Sequence, residues 1–312
     1  MKFASFTIDP ADVHEGVGVV QGEEVVAAEA GATLLSLILD QGRSLVEHGK
    51  SILAHSSERH RLSDIHLLPP ISNPPSIRDF SAFEEHVRVS MENMGLSKSP
   101  TWERAPVFYF TSPNNLVGSG AVAWAHGNTR MMDYELEIGA IIKKRGKNIS
   151  VEDALDYVAG YTIFNDWSAR DIQKEEMMRM PLGPGKGKDS ATSIGPYLVT
   201  PDELSDRVTD KGFDLKMAAR VNGRIYGEGN WNSIHWSFAQ MISYASQGSF
   251  LVPGDIIASG TVGTGCIVEQ AGTYGNDKYP WLAEGDIVEL EVERLGVLRN
   301  VIRWDAESNP WM

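Results

Sequence analysis

Asp133-Tyr-Glu-Leu-Glu-Ile-Gly-Ala-Ile-Ile142 is the stretch that most constrains the fold, and its pattern predicts a β-strand. Alternate residues of a strand share a face, so Glu135 and Glu137 lie together. Tyr134 and Leu136 lie on the opposite, apolar face. The backbones of the two glutamates are then about 6.5–7 Å apart, and both side chains can converge on one cation. An exposed edge strand with its polar residues in solvent is the alternative interpretation of this stretch.

A second stretch, Tyr161-Thr-Ile-Phe-Asn-Asp-Trp-Ser-Ala-Arg-Asp171, predicts a strand that carries polar residues to the rim of a sheet. Its apolar run ends abruptly in Asn165 and Asp166, and binding sites are often built at such positions. Asp166 is the candidate for a third oxygen ligand beside the glutamate pair. Oxygen ligands without cysteine favour Mg²⁺, Mn²⁺ or Ca²⁺ over zinc, so the sequence predicts a site for one of these ions.

Three hydrogen-bond donors follow Asp166 closely in the sequence: Arg170, Gln173 and Lys188. Such donors can stabilise an anionic substrate or a developing enolate. Taken one at a time, each is more typical of a surface residue. Together with the acidic residues they indicate a metal site with donors beside it.

The composition fits a soluble enzyme of 312 residues and 34.3 kDa. With 42% hydrophobic and 22% charged residues, the chain can bury enough apolar surface to fold, which excludes global disorder. A net charge of −14 argues against nucleic acid as a partner. No apolar run reaches the roughly 18 residues needed to span a membrane. The single cysteine and the absence of signal-peptide features at residues 1–10 predict a cytoplasmic protein.

Prolines divide the chain into two predicted domains. The stretch 67–75 contains four prolines, which interrupt regular structure and indicate a linker. A small N-terminal domain is therefore expected over residues 1–75 and a catalytic domain over 76–312. The small domain is predicted to contain short strands in residues 1–30 and a helix over 33–48.

The catalytic domain is predicted to be strand-rich and mixed, because it lacks the steady strand–helix alternation of a doubly wound sheet. Helices are predicted over 79–94, 151–160 and about 234–246. Strands predominate after residue 190, at 197–199, 215–221, 256–259 and 287–292. The glycine-rich stretch 183–189 lacks the spacing of a phosphate-binding loop. Cys266 has no nearby residue that would mark it as a nucleophile, so a packed thiol is expected.

The acidic and donor residues stand in motifs that resemble those of the fumarylacetoacetate hydrolase family. The resemblance covers residues 76–303, and the order and spacing of the motifs agree as well. Residues 1–75 resemble, weakly, the small N-terminal domain that many members carry. The matching stretches are Tyr134–Ile138, Phe164–Gln173, Pro181–Lys188, Gly195–Pro201 and Ser259–Thr261.

The resemblance implies an α+β fold, the strand-rich mixed β-roll of this family, and a homodimer. It also implies roles for individual residues. The metal ligands would be Glu135, Glu137 and Asp166, with Asp79 as the fourth; the substrate-stabilising donors would be Arg170, Gln173 and Lys188; Thr261 would contact the substrate carboxylate; and His86 would activate water.

The sequence departs from the family pattern in two places. The segment Val262–Gln270 does not match the loop that supplies a glutamate partner to the histidine, and Glu269 and Glu85 are the candidates for that partner. The aromatic and arginine contacts that recognise fumarylacetoacetate itself are not recognisable. The substrate is therefore less well indicated than the chemistry.

The expected function is divalent-metal-dependent hydrolysis of the C–C bond in a 1,3-dicarbonyl acid, an acylpyruvate or a compound like fumarylacetoacetate. Such a small keto acid would arise in the catabolism of aromatic compounds or sugar acids. One alternative is a metal-dependent decarboxylase, isomerase or lyase acting on a small keto or ureido acid. Another is a non-catalytic acidic protein that binds Ca²⁺. Neither nucleic acid nor a membrane is an expected partner.

Overall fold

The computed structural model describes residues 1–9, 11, 15–40, 42–93, 97–124, 129–179 and 183–304. These residues form an α+β fold in which strands predominate, as predicted. The strands are β1 (Lys2–Thr7), β2 (Gly16–Gln21), β3 (Glu24–Ala27), β4 (Arg59–Arg61), β5 (His66–Leu67), β6 (Ile77–Phe80), β7 (Phe108–Thr111), β8 (Leu116–Val117), β9 (Gly120–Trp124), β10 (Met132–Asp133), β11 (Leu136–Ile142), β12 (Gly146–Lys147), β13 (Val158–Asp166), β14 (Ser168–Ala169), β15 (Thr192–Val199), β16 (Lys216–Val221), β17 (Arg224–Asn230), β18 (Phe250–Leu251), β19 (Ile256–Ala258), β20 (Ile287–Val292) and β21 (Gly296–Trp304).

The helices are short and lie between the strands. They are α1 (Leu34–Leu39), α2 (Leu45–His55), α3 (Glu84–Asn93), α4 (Arg170–Arg179), α5 (Phe238–Ala245) and α6 (Ile267–Tyr274). Turns of 3₁₀ helix occur at Leu62–Asp64, Ala154–Tyr157, Pro201–Arg207 and Trp231–Ser233. Within the described ranges, no helix has the length and apolar character that crossing a membrane requires.

A twelve-stranded sheet forms the frame of the molecule. Its main path runs β4-β3-β2-β1-β15-β13-β11-β19-β6-β7, while β5 pairs with β1 and β8 pairs with β15. A five-stranded sheet, β17-β16-β20-β21-β9, packs near it through a shared apolar core. The strands β13, β11, β19, β6 and β7 are neighbours, so side chains from distant parts of the chain meet at one end of this sheet.

The N-terminal segment shares the large sheet with the rest of the chain. Strand β1 pairs antiparallel with β15, with Lys2 opposite Val199 and Phe3 opposite Leu198. The hydrogen-bonded sheet therefore runs across the linker at 67–75. The division of the chain into domains at residue 75 stays a prediction.

The helix predicted over residues 33–48 is two helices in the structure. Helix α1 ends at Leu39, and a new helix begins at Leu45. Ser44 accepts a hydrogen bond from the Glu47 N–H, and the Glu47 carboxylate accepts from the Ser44 N–H. This capping box starts α2. The sequence pattern did not reveal that the helix is interrupted, because α1 and α2 pack their apolar residues on the same core and so continue the same apolar spacing.

Two other helix predictions need correction, because strand pairing takes residues that a helix would use. The helix predicted over 79–94 begins at Glu84, since Ile77–Phe80 forms β6 between β19 and β7; Met94 lies outside the described residues. The helix predicted over 151–160 is only a 3₁₀ turn at Ala154–Tyr157. Residues from Val158 onward form β13, whose side chains are buried throughout.

The two central strands settle the interpretation of the acidic stretch. Strand β11 lies between β13 and β19, and all of its residues are buried. An exposed edge strand is therefore excluded. In the β11–β13 pair, Leu136 lies opposite Asn165 and Glu137 opposite Phe164. Glu135 precedes β11, and its backbone N–H donates to the Asn165 side chain at 3.0 Å.

Candidate active site

A cluster of three buried carboxylates lies at the end of the large sheet. Asp79 on β6, Glu137 on β11 and Asp166 on β13 each bring a carboxylate oxygen within 4.8 Å of the others. Their side chains are almost fully buried. Burial and the neighbouring carboxylates raise the pKa of both Asp79 and Glu137 well above the ordinary range. The carboxylates in this cluster therefore repel one another unless a cation or a proton compensates.

The carboxylate cluster fits a hard divalent cation. One oxygen of Asp79 and one of Asp166 are buried and have no hydrogen-bond partner, which is costly for a carboxylate without a cation. All the donors are carboxylate oxygens, as Mg²⁺, Mn²⁺ and Ca²⁺ prefer. Asp79 was only the additional fourth ligand in the sequence-based prediction, yet it is one of the three members of this cluster.

Glu135 lies beside the cluster and binds two buried cations. Its Oε1 accepts from the Arg170 guanidinium at 2.7 Å, and its Oε2 accepts from the Lys188 ammonium. Burial pushes the pKa of Glu135 upward, but Lys188, Arg170 and His86 lower it more, so the net shift is downward. Glu135 is therefore ionised, and its role as a metal ligand stays a prediction.

Lys188 holds its positive charge inside the site. Its Nζ donates to Asp166 Oδ2 at 2.6 Å as well as to Glu135, and the residue is buried. Burial lowers the pKa of Lys188, but Asp166 and Glu135 raise it more, so the net shift is upward. Among the residues that the structure describes around Lys188 and Arg170, five buried carboxylates accompany these two buried cations, which leaves room for a further divalent charge; the carboxylates are Asp79, Asp133, Glu135, Glu137 and Asp166.

The glycine-rich stretch before Lys188 is held from within the protein. The Glu176 carboxylate on α4 accepts hydrogen bonds from the N–H groups of Gly185, Lys186 and Gly187, at 3.1, 2.6 and 3.2 Å. These N–H groups are therefore already bonded, in agreement with the conclusion that the stretch is not a phosphate-binding loop. The same contacts fix the backbone from which Lys188 extends.

Arg170 is fixed on three sides. Its guanidinium donates to Asp133 at 2.8 Å, to Glu135 at 2.7 Å and to Oε1 of Gln173 at 3.0 Å. Because Gln173 uses its oxygen for this contact, its amide N–H groups are oriented to donate elsewhere. The structure thus brings all three predicted donors, Arg170, Gln173 and Lys188, to the same region.

Asp133 was missed as a site residue. Besides Arg170, it accepts hydrogen bonds from the backbone N–H groups of Ile267 and Val268, at 2.7 and 3.0 Å. These are the first two residues of α6, so Asp133 joins a helix N-terminus to the guanidinium. Its position just before the acidic strand was the only signal in the sequence, and the partners lie far along the chain.

Tyr109 is the second residue that sequence reasoning missed. It lies opposite Asp79 in the β6–β7 pair, and its hydroxyl donates to Asp79 Oδ2 at 2.8 Å and also contacts Asp166 Oδ2. Burial and Asp166 raise the pKa of Tyr109 well above its ordinary value, so the phenol remains protonated. It provides a neutral donor between two carboxylates.

A tight turn after β19 delivers two donors to Glu137. The Gly260 N–H donates at 3.0 Å, and the Thr261 hydroxyl lies 3.4 Å from the other oxygen. Gly260 has φ of 76°, and a Cβ there would lie 2.2 Å from the Phe80 carbonyl oxygen, so only glycine fits. Thr261 thus lies at the site, and its contact with a substrate carboxylate stays a prediction.

His86 on α3 forms a pair with Glu269 on α6. The histidine Nδ1 contacts Glu269 Oε1, and the other Glu269 oxygen accepts from the Thr264 N–H at 2.6 Å. Of the two glutamates considered from the sequence, Glu269 is therefore the partner, while Glu85 is exposed. His86 lies close enough to help lower the pKa of Glu135, which places the pair beside the carboxylate cluster.

The chain matches a known protein family, in agreement with its fold and its motifs. Residues 76–303 match the family model described as the C-terminal domain of fumarylacetoacetate hydrolase. The chain belongs to the fumarylacetoacetate hydrolase family. The predicted family and the predicted fold class are therefore confirmed. A solved structure named fumarylacetoacetate hydrolase, from the psychrophilic Exiguobacterium antarcticum, has the same fold, with a TM-score of 0.72 at 24% identity over 98% of this chain and 100% of that one.

Relatives of the chain carry names of different reaction types. A mitochondrial oxaloacetate tautomerase of Xenopus laevis is 31% identical over 267 residues, which cover 85% of this chain and 76% of that protein. Maleylpyruvate hydrolase of Aquipseudomonas alcaligenes is 28% identical over 302 residues, covering 92% of this chain and 96% of that protein. Family membership supports an enzyme and leaves the type of reaction open.

Adding Mg²⁺ or Mn²⁺ to metal-stripped protein is expected to raise its thermal stability. At 100 times the dissociation constant, one bound ion stabilises the fold by about 2.7 kcal/mol, which scanning fluorimetry detects as a higher Tm. The pKa values of Asp79 and Glu137 are raised in the folded protein, so protonation of these two groups stabilises the metal-free fold. This contribution to the free energy of unfolding is lost as the pH rises and the two groups lose their protons. The Mg²⁺ effect should therefore be larger at about pH 8 than at about pH 5.

The matched variants for this measurement are Glu137→Gln, inside the cluster, and Glu152→Gln, which changes an exposed glutamate. The first should lose most of the Mg²⁺ effect, and the second should keep it. A Tm that no divalent cation changes in the wild-type protein would contradict a metal site in this cluster.

Proposed function

We propose that the protein is a divalent-metal-dependent hydrolase that cleaves the C–C bond of a 1,3-dicarbonyl acid such as an acylpyruvate. The observation that carries this proposal is the His86–Glu269 pair beside the carboxylate cluster. Hydrolysis needs a base that makes hydroxide at neutral pH, and an imidazole oriented by a carboxylate is suited to this step. The homodimer that the family resemblance implies stays a prediction.

One nitrogen of the His86 ring is hydrogen-bonded to Glu269, and the other is free of that contact. Glu269 accepts a hydrogen bond from Nδ1–H in the tautomer that the carboxylate favours, so the neutral ring presents an unprotonated Nε2. We infer that Nε2 takes a proton from water, and that the resulting hydroxide attacks the distal carbonyl carbon of the substrate. Glu269 then stabilises the imidazolium that forms. When the C–C bond breaks, its electron pair passes to the enolate, and the imidazolium gives the proton to the enolate carbon, so that the products are a carboxylic acid and a keto acid.

The donors on the opposite side of the site suit the charge that develops. A cation held by Asp79, Glu137 and Asp166 would polarise the substrate carbonyl oxygens and offset negative charge on them. Lys188 and Arg170 are buried cations already held in place by carboxylates, and Gln173 is oriented by Arg170. These preorganised groups stabilise an enolate more than water does, because they do not reorganise during the reaction.

Oxaloacetate tautomerisation is the second candidate, favoured by the 31% identity to the Xenopus laevis tautomerase. It also passes through an enolate, so the same donors serve it. It requires proton transfer between carbon and oxygen but no attacking water. Decarboxylation of oxaloacetate shares the enolate as well, so the three reactions are distinguished by their products.

The test is to incubate the Mg²⁺-loaded wild-type protein with acetylpyruvate and, separately, with oxaloacetate. Stoichiometric pyruvate and acetate from acetylpyruvate would support the hydrolase. Faster keto–enol conversion of oxaloacetate, without cleavage of acetylpyruvate or of longer acylpyruvates, would replace it by the tautomerase. Release of carbon dioxide alone would replace it by the decarboxylase.

A further inference from the structure

A second group of possible metal ligands lies beside the first and differs from it chemically. His86 Nδ1, Cys266 Sγ and a Glu269 oxygen lie within 4.8 Å of one another. The nitrogen–sulfur distance is 3.8 Å, close to the separation of two ligands on one tetrahedral metal ion. The proposed hydrolysis uses His86 and Glu269 but gives no role to Cys266, the only cysteine in the chain.

The backbone presents these three side chains to one point. Cys266 is the residue just before α6, and Glu269 lies in the first turn of that helix, three residues later. Residues three apart on a helix lie on the same side. Helix α3, which carries His86, packs against α6. Cys266 is also fixed by a β-bridge to Glu135, so the sulfur is held in place before any ligand binds.

The donor set indicates the class of ion. Imidazole nitrogen, thiolate sulfur and carboxylate oxygen together favour Zn²⁺ and similar thiophilic ions, whereas Mg²⁺ avoids sulfur. Three protein ligands leave one position for water. The His86 side chain is 16% exposed, which gives an ion a route from solvent, while Cys266 and Glu269 are buried.

The charges around the group attract a cation. The group contains the Glu269 carboxylate, and it lies beside the Asp133 carboxylate, which accepts hydrogen bonds from the first two residues of α6. A bound ion would take the place of the thiol proton, which leaves to solvent.

We propose that His86, Cys266 and Glu269 form an inhibitory site for a thiophilic divalent cation such as Zn²⁺, separate from the site for the hard cation. An ion on Nδ1 places the ring proton on Nε2, so His86 can no longer accept a proton from water. It also removes Glu269 from the imidazole. Binding of the ion does not depend on the proposed function. Inhibition by the ion does rest on the proposed function, because it requires His86 to act as the base.

Co²⁺ is the probe for binding, because its spectrum reports its ligands. Wild-type protein with Mg²⁺ in excess should take up one Co²⁺ per chain and show intense tetrahedral absorption together with a thiolate-to-cobalt charge-transfer band. Zn²⁺ should displace the Co²⁺. Cys266→Ser and Cys266→Ala should each lose the charge-transfer band. If one of the two variants does not fold, the spectrum of the other shows whether the cysteine binds Co²⁺. A wild-type spectrum without the charge-transfer band would overturn the proposal whether or not the enzyme hydrolyses acylpyruvates.

Inhibition is tested on whichever substrate the wild-type enzyme converts, at saturating Mg²⁺. Zn²⁺ should inhibit the wild-type enzyme, and Cys266→Ser should keep its basal activity but require at least about tenfold more Zn²⁺, because even an indirect change at a metal site costs 10–100-fold in affinity. Equal sensitivity of the two proteins would mean that Zn²⁺ acts by displacing Mg²⁺, and the inhibitory site would be rejected.

Discussion

Lys188→Met is expected to lower kcat by about 10²–10³ while Mg²⁺ binding persists. Removing one preorganised donor that stabilises charge in the transition state typically has an effect of this size. Lys188 is buried and donates to Asp166 and Glu135, so its charge lies where the enolate would form. Steady-state kinetics with the substrate identified by product analysis gives kcat, and calorimetric titration gives the Mg²⁺ affinity.

Lys186→Met is the matched control, because Lys186 is two residues away, exposed and paired with Asp189. Its kinetics should stay near those of the wild-type enzyme. If Lys188→Met instead lost metal affinity or the folded state with no separate effect on kcat, Lys188 would have a structural role. A non-catalytic Ca²⁺-binding protein would tolerate either change.

His86→Ala is expected to lower acylpyruvate hydrolysis by about 10²–10⁴, the usual contribution of a general base. Any oxaloacetate decarboxylation by the wild-type enzyme should largely survive the change. Carbon dioxide leaves without an attacking water, and the groups proposed to stabilise the enolate, Lys188 and Arg170, have carboxylates, rather than His86, as their partners. The measurement is the rate of formation of each product from each substrate.

Glu269→Gln separates the base from its partner, because it keeps the shape of the side chain and removes its charge. It should reduce hydrolysis in the same direction as His86→Ala but less severely. His55→Ala changes an exposed histidine on α2 and should have no effect. Unchanged acylpyruvate hydrolysis in His86→Ala would remove His86 from the reaction and leave it as a residue of the α3 surface.

The central strands of the site were predictable because their signals are local. The alternation at residues 134–138 predicted that Glu135 and Glu137 share one face, and the end of the apolar run in β13 marked Asp166 as a residue at the rim. These features depend only on the pleat of a strand and on burial. The family motifs added Asp79 and His86, which the local pattern alone placed on a helix or on its surface.

The errors arose where contacts distant in sequence override local preference. The spacing of Val151–Ala159 suits a helix, and Ser150 does bond to the Asp153 N–H, yet β13 takes over at Val158 because pairing with β11 buries its residues. Tyr109 and Asp133 were missed for a related reason. Their partners, Asp79 and the start of α6, come from segments that only the folded sheet brings together.

Asp133 makes the two halves of the proposed chemistry mechanically dependent on each other. One of its oxygens bonds to the start of α6, and the other bonds both to α6 and to the Arg170 guanidinium. A tilt of α6 that moved Glu269 away from His86 would thus also pull on the arginine. The position of α6 on the proposed water-activating side and that of the guanidinium on the proposed enolate side are therefore coupled through this carboxylate.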